Sequence, residues 1–412
     1  MNTTEKETKN NVMMTSVKQS SRMSLLLGAV FLMATSAIGP GFLTQTTVFT
    51  QQLAASFGFV ILVSILLDIG AQMNIWRIIA VSERRAQDIA NLVLPGLGYV
   101  VAGLIVLGGL AFNIGNIAGA GLGMNVLFGV SPELGALISA VVAVAIFLVR
   151  EAMKVMDRFT QFMGIVMIGL TLYVVFTAKP PVGEAVVKSF APDTIDMLAI
   201  VTLVGGTVGG YITFAGGHRL LDAGIKGKNA LPEVTRSSIS AIGVASIMRI
   251  VLFLAALGVV AKGLELDASN PPASVFQLAA GEIGYKLFGI VMWAAAITSV
   301  IGAAYTSVSF IRTFHKNLET YHRWIIVAFI VVSTVVFVSI GKPVKTLILV
   351  GALNGLILPI SLGVMLVAAY KRNIVGDYKH PLWMTAFGGI VVVAMAYMGI
   401  YTLIRQIPQL FS

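Results

Sequence analysis

Two of the long apolar stretches in this chain are interrupted at their centres by glycine. The first reads Gly39-Pro40-Gly41-Phe42, and the second Gly205-Gly206-Thr207-Val208-Gly209-Gly210. Inside a bilayer, an interrupted helix leaves backbone carbonyls and amides without partners. Such a break is tolerated only where it lines a cavity or is buried in protein. Paired breaks in corresponding halves of a chain point to the substrate site of a secondary transporter. Neither break carries a side chain able to hold a bare metal ion.

The stretches around the breaks set the class. With 57 % hydrophobic and 11 % charged residues, and repeated apolar runs of about 20 residues, the chain reads as an all-α integral membrane protein. Eleven transmembrane helices are expected, at about 25–54, 57–80, 97–128, 133–150, 159–177, 196–222, 237–261, 283–313, 324–340, 345–370 and 383–406. The net charge of +10 does not indicate nucleic acid, because the basic residues fall in alternate loops. Segments 6–22, 77–85, 150–158, 219–236, 312–323 and 371–379 hold 20 of the 28 Lys and Arg residues. By the positive-inside rule these lie in the cytoplasm, with the N-terminus, and the C-terminus lies outside a cell membrane. Arg249 alone among the basic residues falls deep within a span.

Residues 1–22 are polar and expected to be a disordered cytoplasmic segment rather than a signal peptide. Residues 23–412 form a single transmembrane domain. Helices one to five (about 25–177) and six to ten (about 196–370) suggest an inverted five-plus-five repeat, with the eleventh (about 383–406) outside it. The breaks fall in the first and sixth helices. Cysteine is absent, so thiolate metal sites and disulfides are excluded. No phosphate-binding loop for nucleotides occurs, which argues against ATP-driven pumping. No nucleophile, base and orienting group recur at plausible depths, so an enzyme is not expected.

From about residue 25 to 406 the chain resembles the Nramp family of divalent-metal transporters, whose broken-helix fold is shared with many amino-acid transporters of the LeuT/APC type. The family's first helix breaks at Asp-Pro-Gly-Asn, and Gly39-Pro40-Gly41-Phe42 is similar to it. Its sixth helix reads Ala-Thr-Val-Met-Pro-His-Asn, beside Gly206-Thr207-Val208-Gly209-Gly210-Tyr211-Ile212 here. Leu127-Phe128-Gly129, Leu358-Pro359 and Tyr370-Lys371-Arg372 add to the likeness. The departures are concerted. Gly39 stands for the metal-binding Asp, Phe42 for the Asn, Gly209 for the Met, and Gly210-Tyr211 for the Pro-His pair. The tenth-helix Gln aligns with Ile357, one turn from Asn354. Third-helix acids that carry the coupled proton fall near Gly109 and Phe112, beside Asn113 and Asn116. This pattern resembles the Nramp-related magnesium transporter branch.

A thioether favours soft transition metals, so its loss at Gly209 removes discrimination against hard ions. Mg²⁺ dehydrates reluctantly and usually keeps several waters. The resemblance therefore implies a monomer that carries hydrated Mg²⁺, and also Mn²⁺, by alternating access, with no cofactor and no proton coupling. Ser36, Gly39, Gly206, Thr207 and Gly209 are expected to line the site, with Gln45, Thr213 and Asn354 as polar partners. The alternative role for Gly39, Gly206 and Gly209 is close helix packing. Phe42 either walls the cavity or points into packing.

Asp68 is the one carboxylate deep in a span, and an intramembrane charge is a functional candidate because its burial is costly. As a residue of the pathway or outer shell and not a ligand, it supplies the charge missing from the first break, pairs with Arg249, or caps a break at Gly70. Asn113 and Asn116 share a helix face and line the pathway, but amides do not relay protons. His218, His315, His322 and His380 are expected at the surface, and Trp76, Trp324 and Trp383 at the interfaces. Two other readings stand beside this one. The first is a proton-coupled Mn²⁺ or Fe²⁺ transporter with ligands from elsewhere. The second is an amino-acid or organic-solute transporter whose helix N-termini hold a carboxylate.

Overall fold

A computed structural model describes residues 39–311, 314–406 and 408. Ser36, one of the expected site residues, lies outside them, as do the N-terminal half of the first span and the polar N-terminal segment. The described chain is helical almost throughout. Nine of its helices are long and apolar enough to cross a membrane, and Pro132–Leu148 is a shorter apolar one.

The first of the nine, Pro40–Ser82, contains two elements. Helix α1 (Pro40–Leu53) turns at Ala54, where φ is 47°, and continues after a short tight turn into α2 (Phe57–Ser82). A short helix, α3 (Ala86–Val93), leads to α4 (Leu97–Phe128). Gly129, at φ 70°, ends α4 in the left-handed geometry that glycine adopts without strain. Helix α5 (Pro132–Leu148) starts at Ser131, whose hydroxyl accepts the Leu134 amide. Helices α6 (Arg150–Ala178) and α7 (Val182–Phe190) complete this half.

The second half opens with the broken element, α8 (Met197–Val208) and α9 (Ile212–Asp222). Then follow α10 (Leu231–Val260), α11 (Pro271–Ile311, bent at Gly281), α12 (His322–Ile340), α13 (Pro343–Ala368) and α14 (Leu382–Tyr401). Helices α6 and α11 extend beyond the expected spans, beginning at 150 and 271 instead of 159 and 283. Hydropathy marks only the apolar part of a helix. The polar run Arg150 to Arg158 is rich in good helix formers and continues the same rod.

Burial separates centre from rim. In the span that holds α8 and α9, 94 % of the most apolar window is enclosed, against 28 % for α6 and α12 and 33 % for α14. The rim helices stay apolar on their outer faces, as Ile390, Val393 and Tyr397 on α14 illustrate. A helix apolar all round suits a lipid surround. Small residues bring the central helices together. A Cβ on Gly119 of α4 would lie 2.0 Å from Pro40 Cβ, and one on Gly205 of α8 would lie 1.9 Å from the Gly351 carbonyl oxygen of α13. The broken elements thus sit at the core of the bundle, wedged between α4 and α13.

Candidate transport site

The described part of the first break is the start of α1. Gly39 caps it in an extended conformation, and Pro40 takes the first helical position, where its missing N–H costs no bond. The first helical bond runs from Leu43 N to Gly39 O (3.2 Å), and no described residue accepts the Gly41 or Phe42 amide. The hydroxyls of Thr46 and Thr47 donate back to the Phe42 and Leu43 carbonyls at 2.7 and 2.9 Å.

The second break is narrower than its glycine run. Gly205 through Val208 are helical, and only Gly209, Gly210 and Tyr211 leave the helix. Gly205 therefore serves close packing against Gly351 and Gly355 rather than unwinding. The Gly210 amide donates to the Asn354 carbonyl of α13 at 3.2 Å. At the start of α9, the Thr213 and Phe214 amides have no acceptor among the described residues. Two helix N-termini, each a positive dipole end, thus face the bundle interior.

Gln45 joins the breaks. Its Nε2 donates to the Leu347 carbonyl of α13 (2.9 Å), while Oε1 has no partner and lies 2.7 Å from where a Cβ on Gly206 would stand. Asn354 donates through Nδ2 to the Gly108 and Val350 carbonyls at 3.0 and 3.1 Å, leaving Oδ1 unpaired. The Thr213 hydroxyl is likewise buried and unpaired. Thr207 differs, because its hydroxyl donates back to Leu203 O at 2.8 Å. Gly39 and Gly209 mark the breaks themselves. A Cβ on Gly209 would meet Gly205 O at 2.2 Å and Asn354 Cβ at 2.7 Å.

The outer residues divide. Asn113 donates from Nδ2 to Ser333 of α12 at 3.1 Å, which ties two helices together, and its Oδ1 is unpaired. Asn116 is buried with Nδ2 unpaired. Asp68 lies on an uninterrupted α2, so it caps no break at Gly70. Gly70 instead admits Phe387 and Val391 of α14. Asp68 and Arg249 are buried and within electrostatic range, without an ion-pair contact. Phe42 lies beneath Arg249, whose guanidinium carbon is 4.4 Å from the ring centroid.

Three expectations are corrected. Trp76 is enclosed, not interfacial, and donates from Nε1 to the Thr213 carbonyl at 2.8 Å, fixing α9 to α2. His218 is buried and accepts the Ala86 amide at 3.0 Å. His380 is buried against Asn74. In each case a ring with a polar edge satisfies a buried backbone or amide group. Trp324 and Trp383 are exposed at helix ends, as expected. The unpaired hydroxyls of Thr44, Thr202 and Ser307 escaped sequence reasoning. For Thr44 a signal existed: the polar run Thr44-Gln45-Thr46-Thr47 is unusual within an apolar span.

Among the described residues no group of three or more His, Cys, Asp or Glu is placed to hold a metal ion. What converges on the breaks is neutral oxygen, helix N-termini and one guanidinium. Among the described residues such a set holds no cluster of carboxylates that would strip an ion of its water.

The sequence matches the Natural resistance-associated macrophage protein-like (Nramp) family over residues 30–405. It is 69 % identical over 398 residues to the membrane protein YcsG of Bacillus subtilis, covering 97 % of this chain and 98 % of that one. It is 23 % identical over 431 residues to the divalent metal cation transporter MntH of Staphylococcus saprophyticus, covering 95 % and 94 %. In fold it is similar to a mutant of the Eremococcus coleocola manganese transporter, at TM-score 0.74 and 16 % identity over 95 % of this chain and 88 % of that one. It is also similar to MhsT in complex with L-phenylalanine, at TM-score 0.62 and 16 % identity over 93 % and 97 %. Sequence match and fold agree, and the chain belongs to the Nramp family.

Proposed function

We propose that this chain is a secondary transporter of the cell membrane that moves a divalent cation, Mg²⁺ foremost and Mn²⁺ with it. The ion travels partly hydrated, by alternating access and without proton coupling. The observation behind this reading is the set of neutral, buried, unpaired oxygens at the breaks: Gln45 Oε1, Asn354 Oδ1 and Thr213 Oγ1. Neutral oxygens receive a water-clad ion through its waters and do not compete with its first shell. Gly209, where the family carries a thioether, removes the soft ligand that favours transition metals. Family membership supports a divalent cation as cargo. The family's proton-carrying acids align near Gly109 and Phe112, and the neighbouring Asn113 and Asn116 are amides that do not titrate. The reading includes eleven crossings, an inverted five-plus-five repeat and a cytoplasmic N-terminus, as the basic loops suggest.

The test titrates purified protein with MgCl₂, MnCl₂ and CaCl₂, then follows uptake into proteoliposomes that report internal pH. Saturable Mg²⁺ entry at stationary internal pH is expected. Entry with internal acidification overturns the uncoupled mechanism, and failure of every divalent ion to bind overturns the cargo.

A further inference from the structure

The first break has a charge balance that a cation alone does not satisfy. Arg249, on α10, is 3 % exposed, and its Nε and Nη2 have no hydrogen-bond partner. Both atoms lie on one edge of the guanidinium, the edge that offers two parallel N–H donors to a planar pair of oxygens. The guanidinium stands over Phe42, in the first turn of α1. In that same turn the Gly41 and Phe42 amides have no acceptor among the described residues. A buried fork of unpaired donors therefore stands over a side chain of the first turn of α1, where two amides have no acceptor among the described residues.

The guanidinium edge is costly to leave empty away from water. Asp68 lies within electrostatic range of Arg249 but does not occupy its donors. The single guanidinium charge balances a monoanionic group better than a dianion. Two oxygens on one carbon match the Nε and Nη2 edge, which a spherical halide does not span.

We propose that the ligand received at the first break carries a carboxylate, held side-on by Arg249 with the amides of the first turn of α1. The carboxylate comes either on a free small organic acid or as a ligand of the divalent cation. The proposal rests on the breaks being the transport site and does not require the cargo to be a metal. It gives Arg249 a binding role and Phe42 the role of a floor that keeps the guanidinium in place.

The full chain in detergent is heated in Mg²⁺-free buffer with sodium acetate, L-lactate, L-glutamate or succinate. Sodium chloride and sodium phosphate at matched ionic strength serve as controls, and the series is repeated with MgCl₂. At least one carboxylate is expected to raise the melting midpoint where chloride and phosphate do not. Its apparent affinity should fall at least about tenfold in Arg249→Gln and by less in Arg249→Lys, which keeps the charge but loses the fork. If Arg249→Gln does not fold, the wild-type comparison with Arg249→Lys carries the test.

A shift with carboxylate alone identifies a free organic acid, and a shift only when MgCl₂ is also present identifies the complex. No shift from any carboxylate in either series overturns the proposal, as does a shift of equal size in both Arg249 variants. An Mg²⁺ response unaffected by carboxylate and by Arg249 also overturns it, while leaving the cation reading standing. Carboxylate binding in a protein that never binds Mg²⁺ does the reverse.

Discussion

A methyl group added at Gly205 would stand 1.9 Å from the Gly351 carbonyl oxygen and 2.3 Å from the Gly355 amide nitrogen, both backbone atoms of α13. Backbone has no rotamer with which to move aside, so α8 and α13 would have to separate. Overpacking of this kind costs about 1–3 kcal/mol or more. Gly243, on α10, has nothing within 4 Å of the same position. Gly205→Ala is therefore expected to lower the melting midpoint by several degrees or abolish folding, and Gly243→Ala to leave it nearly unchanged. Equal midpoints for the two would mean that α8 and α13 are not in close contact. Gly209 carries a related prediction. A methionine there, the residue of the wider family, would begin with a Cβ 2.2 Å from Gly205 O and 2.7 Å from Asn354 Cβ. Gly209→Met should thus lose both stability and cargo uptake. Normal uptake by a folded Gly209→Met protein would move the site away from the second break.

At the scale of elements, α2 and α14 are clamped through a polar chain at the end of the bundle. Arg77 donates from Nε and Nη2 to the Tyr378 hydroxyl at 3.2 and 3.0 Å, and that hydroxyl lies 3.3 Å from His380 Nδ1. His380 Nε2 is 2.7 Å from Asn74 Oδ1, and Asn74 Nδ2 donates to the Met384 carbonyl of α14 at 3.0 Å. Every link is satisfied with a neutral imidazole that donates from Nε2 and accepts at Nδ1. Burial, and next the charge of Arg77, lower the His380 pKa from 6.5 to about 4. Between those values the unfolded chain binds the proton and the folded one does not, so stability falls as pH drops through that window. Above it the penalty is absent. The melting midpoint should decline from pH 6.5 toward 4, and His380→Gln should flatten that decline; an unchanged slope would place the pH dependence elsewhere. None of this clamp was legible in the sequence, because a histidine near a span end looks the same at a surface as in a buried network. The helices themselves were legible, since apolar length survives any packing arrangement. The glycines were legible only in part. A glycine marks a break or a close approach with the same letter, and the neighbour on α13, 146 residues away in the case of Gly205 and Gly351, decides which. Arg249 stood out as a charge within a span, but its seat over Phe42 depends on how α10 lies against α1.

For the whole molecule, the sign of the cargo's charge is the deciding quantity, and the membrane potential reads it. Two positive charges moved inward are favoured by roughly 4.6 kcal/mol per 100 mV of inside-negative potential, an accumulation on the order of a thousandfold at equilibrium. Under the proposed uncoupled mechanism, that potential and the cation gradient are the whole driving force. Proteoliposomes clamped by a potassium gradient and an ionophore should therefore accumulate Mg²⁺ more steeply as the interior becomes negative. A divalent ion carried with one carboxylate crosses as a single positive charge and halves the exponent. A free monocarboxylate reverses it, since the same potential then drives the cargo out. Arg249 and the two helix N-termini favour negative charge at the breaks, while the unpaired oxygens of Gln45 and Asn354 favour the waters of a cation. These two tendencies are compatible only if the moving species has both a cationic and an anionic part, or if one of them belongs to the empty transporter alone. A voltage dependence of one net charge selects the first, and a dependence of two inward or one outward selects the second.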